Sequence, residues 1–143
     1  MSKPYEISPH HRCIAGLMFL AAVSLAVESA LHLSDAIHPK GSNETQAGAA
    51  EAVICVALLW GACSLAVRGA AGYRVALGTT VFAIAGFILG LSITVPSGYI
   101  PDIAYHAVVL PILIVTLALI VGYGRPGAGA GQAPRQGRQA LRH

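Results

Sequence analysis

Two carboxylate–histidine pairs with identical spacing are the residues of this chain best suited to chemistry. Glu28 and His32 lie four residues apart, and so do Asp102 and His106. Four residues make just over one turn of an α-helix, so each pair occupies one face of its helix. Imidazole and carboxylate groups bind transition metals, and within membranes they also relay protons. The spacing therefore predicts a metal-binding or proton-transferring site, provided that the two pairs meet.

The composition indicates the surroundings of these pairs. Of the 143 residues, 55% are hydrophobic and 10% are charged, and the mean hydropathy is +0.67. Since a soluble domain carries roughly a quarter charged residues, we expect an integral membrane protein. An ionisable side chain within an apolar span is costly and usually functional. The net charge of +3 forms no basic patch with stacking aromatic residues, so no nucleic-acid partner is expected.

Four apolar stretches predict an all-α fold, a bundle of four transmembrane helices. Each stretch has about the 20 residues that a bilayer requires. A polar lead, residues 1–12, precedes this domain, and a basic tail rich in glycine, alanine and proline, residues 124–143, follows it. The tail has too few apolar residues to fold and is expected to be disordered. The transmembrane domain, 13–123, contains predicted spans at about 13–33, 48–67, 75–95 and 102–123.

The distribution of basic residues predicts the orientation of the spans. Eight of the nine lysine and arginine residues lie in the lead, the 68–74 connector and the tail, whereas Lys40 alone lies on the other side. Because loops rich in lysine and arginine stay cytoplasmic, both termini are expected in the cytoplasm of a multi-pass cell-membrane protein. The first stretch could instead be a signal peptide cleaved after Ala26, but its apolar pattern continues to Leu33, which favours an uncleaved span.

This topology gathers five titratable side chains at the outer end of the bundle. Two of them end the first span, one begins the second and two begin the fourth. We expect three to bind a transition-metal ion such as zinc, copper or iron, and the other two to be further ligands or to orient the ligands. The predicted ligands are Glu28, His32 and His106, and the supporting residues are Glu51 and Asp102.

Other roles stay open for these residues. Asp102 opens its helix and Glu51 lies in a first turn, so each could interact with the positive end of a helix dipole instead. Glu28, about 7 Å inside the predicted outer end, could join His32 and His106 in a purely structural hydrogen-bond set. A haem held between His32 and His106 is geometrically possible if the two face each other, although nothing in the spacing selects it.

Two segments carry a resemblance to a known class of protein. The segment ESALHLSDAIHP (28–39) combines His-Leu, an alanine and His-Pro at the end of the first span, and GLSITVPSG (90–98) ends the third. Together with the Gly/Ala-rich second span, this arrangement resembles small four-span membrane proteins of actinobacterial type over residues 13–123. The resemblance implies the four-span fold and a bacterial source, and it carries over no site residue.

The most economical interpretation is a small membrane binding or accessory protein with a metal site. No nucleophile elbow, phosphate-binding loop, zinc-protease motif or dinucleotide fingerprint occurs, so an enzyme is unsupported. One alternative is a dimeric proton-coupled transporter of small solutes, because Glu28 in the first of four short helices resembles the small multidrug resistance exporters. With only 6% aromatic residues, however, the chain lacks their aromatic cage for organic cations.

A second alternative is a structural subunit of a larger membrane complex. Gly86 and Gly90 form a GxxxG stripe, which serves helix packing within one chain or between chains equally well. Trp60 lies mid-span and is expected to pack inside the bundle. The three cysteines form no CxxC motif and are expected to be small buried hydrophobic residues; they are Cys13, Cys55 and Cys63.

Overall fold

The computed structural model describes residues 8–34 and 44–123, and every regular element in these ranges is helical. The all-α prediction is therefore confirmed for this part of the chain. The predictions for residues 1–7, for the loop around Pro39 and for the tail 124–143 concern residues outside it. The elements are α1 (Pro9–Leu33), α2 (Glu44–Arg68), a 3-10 turn (Gly69–Gly72), α3 (Tyr73–Ser97) and α4 (Ile100–Tyr123).

Each α-helix covers one of the predicted spans and begins two to four residues before it. The helices begin earlier because backbone hydrogen bonding continues into polar residues that an apolar pattern does not register. Three helical segments are long and apolar enough to cross a membrane, namely Pro9–Leu33, Thr45–Ser97 and Ile100–Tyr123. The middle segment contains both α2 and α3. Its 53 residues would span about 80 Å if straight, far more than the ~30 Å hydrocarbon core of a bilayer.

The outer surface of the bundle is apolar. Leu20, Trp60 and Val67 are 65%, 67% and 77% exposed, and large hydrophobic side chains are exposed on all four α-helices. A soluble monomer rarely presents such a surface, whereas a bilayer solvates it. The predicted inward packing of Trp60 is wrong, as is the predicted burial of Cys13 and Cys63. An apolar pattern does not distinguish a core-facing from a lipid-facing position when both favour apolar residues.

Helices that follow one another along the chain pack side by side, and α4 closes the bundle against α1. Contacting residues lie at equal distances from the intervening turn, as antiparallel packing requires. Thr94 and Asp102, which are hydrogen-bonded, both lie four residues from Gly98. Gly98 adopts φ +71°, a left-handed conformation that glycine tolerates best, and it ends α3 so that α4 can return beside it.

Several glycines allow close approaches between neighbouring elements. A methyl group at Gly48 would lie 3.1 Å from the Ser29 carbonyl oxygen on α1, and one at Gly72 would overlap the backbone of Ser64 on α2. A methyl group at Gly90 would lie 2.7 Å from Nε2 of His106 on α4. Gly86 likewise faces a side chain of α2. The GxxxG stripe of α3 therefore packs within the bundle, one of the two roles left open by the sequence.

We predict that Gly72→Ala destabilises the bundle because backbone atoms cannot rotate away from the added methyl group. Overpacking of this kind lowers the free energy of unfolding by about 2 kcal/mol. Gly78→Ala is the matched control, since nothing lies within 4 Å of a methyl group there. Circular dichroism during denaturant titration in detergent measures both variants. Equal stability of the two variants would contradict the close approach of the 3-10 turn to the backbone of α2.

Candidate metal centre

Two helices bring three potential metal ligands together at one end of the bundle. One ligand atom from each of Glu28, His32 and Asp102 lies within 4.8 Å of the other two. Glu28 and His32 stand one turn apart at the end of α1, and Asp102 lies in the first turn of α4. His32 and Asp102 are buried, while Glu28 is half-buried. The three residues, called here the outer triad, combine one imidazole with two carboxylates, a donor set suited to zinc, copper or iron.

The carboxylates of the outer triad also form ion pairs. His32 Nε2 lies 3.7 Å from Oε1 of Glu28, and His106 Nδ1 lies 3.3 Å from Oδ1 of Asp102. In each pair the partners are four residues apart on one helix, as the sequence spacing required. A metal ion at the outer triad would therefore compete with these pairings for the carboxylates.

His106 lies next to Asp102 and outside the outer triad. Its Nδ1 lies 2.9 Å from the backbone carbonyl oxygen of Asp102, and a carbonyl only accepts hydrogen bonds, so Nδ1 carries the hydrogen. Nε2 then faces Gly90 on α3, and the rings of Phe87 and Tyr105 lie 5.1 and 5.9 Å away. The structure thus places Asp102 beside Glu28 and His32, where the sequence argument had placed His106.

Thr94 is a residue of this centre that the sequence argument missed. Its hydroxyl donates a 2.9 Å hydrogen bond to Oδ2 of Asp102, and both side chains are buried. Thr94 thereby holds the Asp102 carboxylate across the gap between α3 and α4. The signal was present in the sequence: a tight turn centred on Gly98 places residues equidistant from it on facing helices.

Two further hydrogen bonds hold α1 in place beside the outer triad. The hydroxyl groups of Ser24 on α1 and Tyr105 on α4 lie 3.2 Å apart. The Ser29 hydroxyl donates a 2.7 Å bond to the carbonyl oxygen of Gly48 on α2. Hydrogen bonds between helices in a membrane contribute about 0.6 kcal/mol each on average, so their main effect here is on register.

Glu51 belongs to the same end of the bundle without joining the outer triad. It lies on α2, is 9% exposed, and lines a cavity of about 580 Å³ together with His32, Asp102 and His106. The five predicted site residues thus divide in two: three form the outer triad, and Glu51 and His106 border the adjoining cavity. At the opposite end, His10 stacks on Tyr123, with ring centroids 4.1 Å apart.

We predict that Thr94→Val destabilises the protein, because it removes the only hydroxyl that reaches Oδ2 of Asp102 among the described residues. Leaving a buried carboxylate oxygen without this donor costs about 1–3 kcal/mol of unfolding free energy. Thr80→Val in the same helix is the matched control, since the buried Thr80 hydroxyl bonds only to the Ala76 carbonyl of its own helix. Denaturant titration should show the larger loss for Thr94→Val; losses of equal size would refute this role.

The comparisons with known proteins add no further assignment. A scan of family models, a search of curated proteins and a search of solved structures each find no match to this chain. The chemistry of the outer triad and the adjoining cavity is therefore the basis for assigning a function.

Proposed function

We propose that this chain is an integral membrane binding or accessory protein that holds a transition-metal ion in the outer triad. The observation that carries the proposal is the convergence of Glu28, His32 and Asp102, from two different helices, to within 4.8 Å. Zinc bound to nitrogen and carboxylate oxygen at about 2.0–2.2 Å places its ligand atoms about 3.4 Å apart. The atoms furthest apart would have to approach by up to about 1.4 Å to reach this spacing.

We further propose four membrane passes with both termini in the cytoplasm. Contacts such as that between Gly86 and Ile54 support a return of the middle helical segment on itself, so that α2 and α3 cross separately. The orientation is supported by Arg12, Arg68 and Arg74, which all lie at the same end of the helices, opposite the outer triad.

The partners in this proposal follow from the exposed apolar surface. Every α-helix presents large hydrophobic side chains outward, as described above for Leu20 and Trp60. Lipid covers such a surface, and a second copy of the chain or a larger membrane complex would cover part of it in an accessory role. Because Gly86 and Gly90 face inward, we assign no contact between chains to that stripe.

The number of passes predicts on which side of the membrane a reporter lies at each position. Four passes return the C-terminus to the cytoplasm, so green fluorescent protein fused after His143 should fluoresce. The turn at Gly98 then lies outside the cytoplasm, so alkaline phosphatase fused after Gly98 should be active. Swapping the two reporters supplies the control, and both swapped fusions should be inactive. Active phosphatase at the C-terminus would indicate an odd number of passes and contradict the proposed topology.

The outer triad predicts stoichiometric metal binding. Protein stripped with a chelator and dialysed against zinc should retain about one ion per chain by elemental analysis. His32→Ala and Asp102→Asn should each weaken binding by about tenfold or more, the loss typical when the support of a metal ligand is removed. His10→Ala is the matched control, because His10 lies at the other end of the bundle. Zinc-free wild-type protein, or equal loss in all three variants, would overturn the proposal.

A further inference from the structure

The cavity beside the outer triad is a feature of the described residues for which the proposed metal site gives no role. Its volume of about 580 Å³ lies within the range typical of small-molecule sites. The walls come mainly from α2 and α3, and α1 and α4 contribute polar side chains at one end. Val53, Leu89 and Ile93 line it and are 59–67% exposed, so the cavity reaches the apolar surface between α2 and α3.

Glu51 has an unsatisfied carboxylate oxygen in this cavity. Its side chain is nine-tenths buried, and its Oε2 accepts no hydrogen bond from any described residue. Glu28 and Asp102 each have a histidine partner, at 3.7 and 3.3 Å, whereas no described residue forms such an ion pair with Glu51. A buried carboxyl group without a donor is costly, because nothing replaces the water that it has lost.

No lysine or arginine among the described residues lines the cavity to compensate Glu51, and Glu28 and Asp102 lie close enough to repel a charge on Glu51. His32, which also lines the cavity, is paired with Glu28. His106 is also within electrostatic range, but it is already bonded to Asp102. The group that would satisfy Glu51 is therefore a positively charged hydrogen-bond donor brought by a ligand.

The remaining lining indicates the rest of the ligand. Phe82 and Phe87 offer aromatic faces, which attract both apolar groups and cations. Most other lining residues are aliphatic, and the exposed rim lies where the acyl chains of a bilayer would be. A ligand with an apolar body could enter from the bilayer and carry its polar head toward Glu51.

We propose that this cavity binds an amphipathic organic amine, whose protonated nitrogen pairs with Glu51 and whose apolar body fills the space between α2 and α3. This site adjoins the outer triad, since His32 and Asp102 also line the cavity, and it needs no metal ion. It gives the chain a substrate-binding cavity of the kind that the transporter alternative requires, with Glu51 in the role that the sequence argument gave to Glu28.

The test compares two fluorescent probes with the same apolar body. Full-length protein in phosphatidylcholine nanodiscs is titrated with 1-pyrenemethylamine and with 1-pyrenemethanol, and binding to empty nanodiscs is subtracted. The wild type should bind the amine saturably and at least about tenfold more tightly than the alcohol, as expected for a hydrogen bond to a charged group. Equal affinity for the two probes, or no saturable binding of either, would overturn the proposal.

Variants of Glu51 test whether the preference for the amine over the alcohol comes from this residue. Glu51→Gln should reduce amine affinity to that of the alcohol, whereas Glu51→Asp should retain a preference for the amine because the charge remains. Unchanged amine binding in Glu51→Gln would refute the pairing. Should Glu51→Gln fail to fold, the comparison of probes on the wild type still decides.

Zinc binding, measured on the same Glu51→Gln nanodiscs, separates this site from the outer triad. Retained zinc together with a lost preference for the amine supports two separate sites. Loss of both would assign Glu51 to the metal centre and overturn the independent cavity. If the wild type binds the amine but retains no zinc, the metal proposal fails and the amine proposal stands.

Discussion

The cost of placing ionisable side chains inside an apolar bundle constrains the rest of this structure. A lone buried charge is strongly unfavourable, so a carboxylate at this depth needs a partner, a proton or a metal ion. Glu28 and Asp102 meet this requirement with histidines one turn further along their own helices. Glu51 has no such histidine partner among the described residues, and it faces a cavity. This difference between two paired carboxylates and a third explains why this end of the molecule carries both proposals.

The pairs meet because the helices approach closely and in a fixed register. Gly72 allows the 3-10 turn to pack against the backbone of α2, and Gly98 permits the tight turn between α3 and α4. That turn sets Thr94 opposite Asp102, and the hydroxyl of Thr94 then fixes the carboxylate. Small residues and a few hydrogen bonds determine the packing in such a bundle, since lipid removes the hydrophobic preference for an inward face.

Much of the fold was predictable from the sequence, because apolar runs of about 20 residues separated by polar turns leave few alternatives to transmembrane helices. The pairing of Glu28 with His32 followed from helical spacing alone. Which of Asp102 and His106 lies beside Glu28 and His32 did not, because both lie on one face and the register of α4 along α1, to within one turn, decides between them. The exposed position of Trp60 also escaped prediction, because the lipid-facing and core-facing positions of these helices are equally apolar.

The central claim is that α1 and α4 bring acid and imidazole groups together in one metal-binding centre. Anomalous diffraction at the zinc edge, from crystals of the zinc-loaded protein, tests this claim most directly. The account predicts one peak about 2.0–2.2 Å from ligand atoms of Glu28, His32 and Asp102. A peak elsewhere in the molecule, or side chains of His32 and Asp102 that point away from each other, would contradict it.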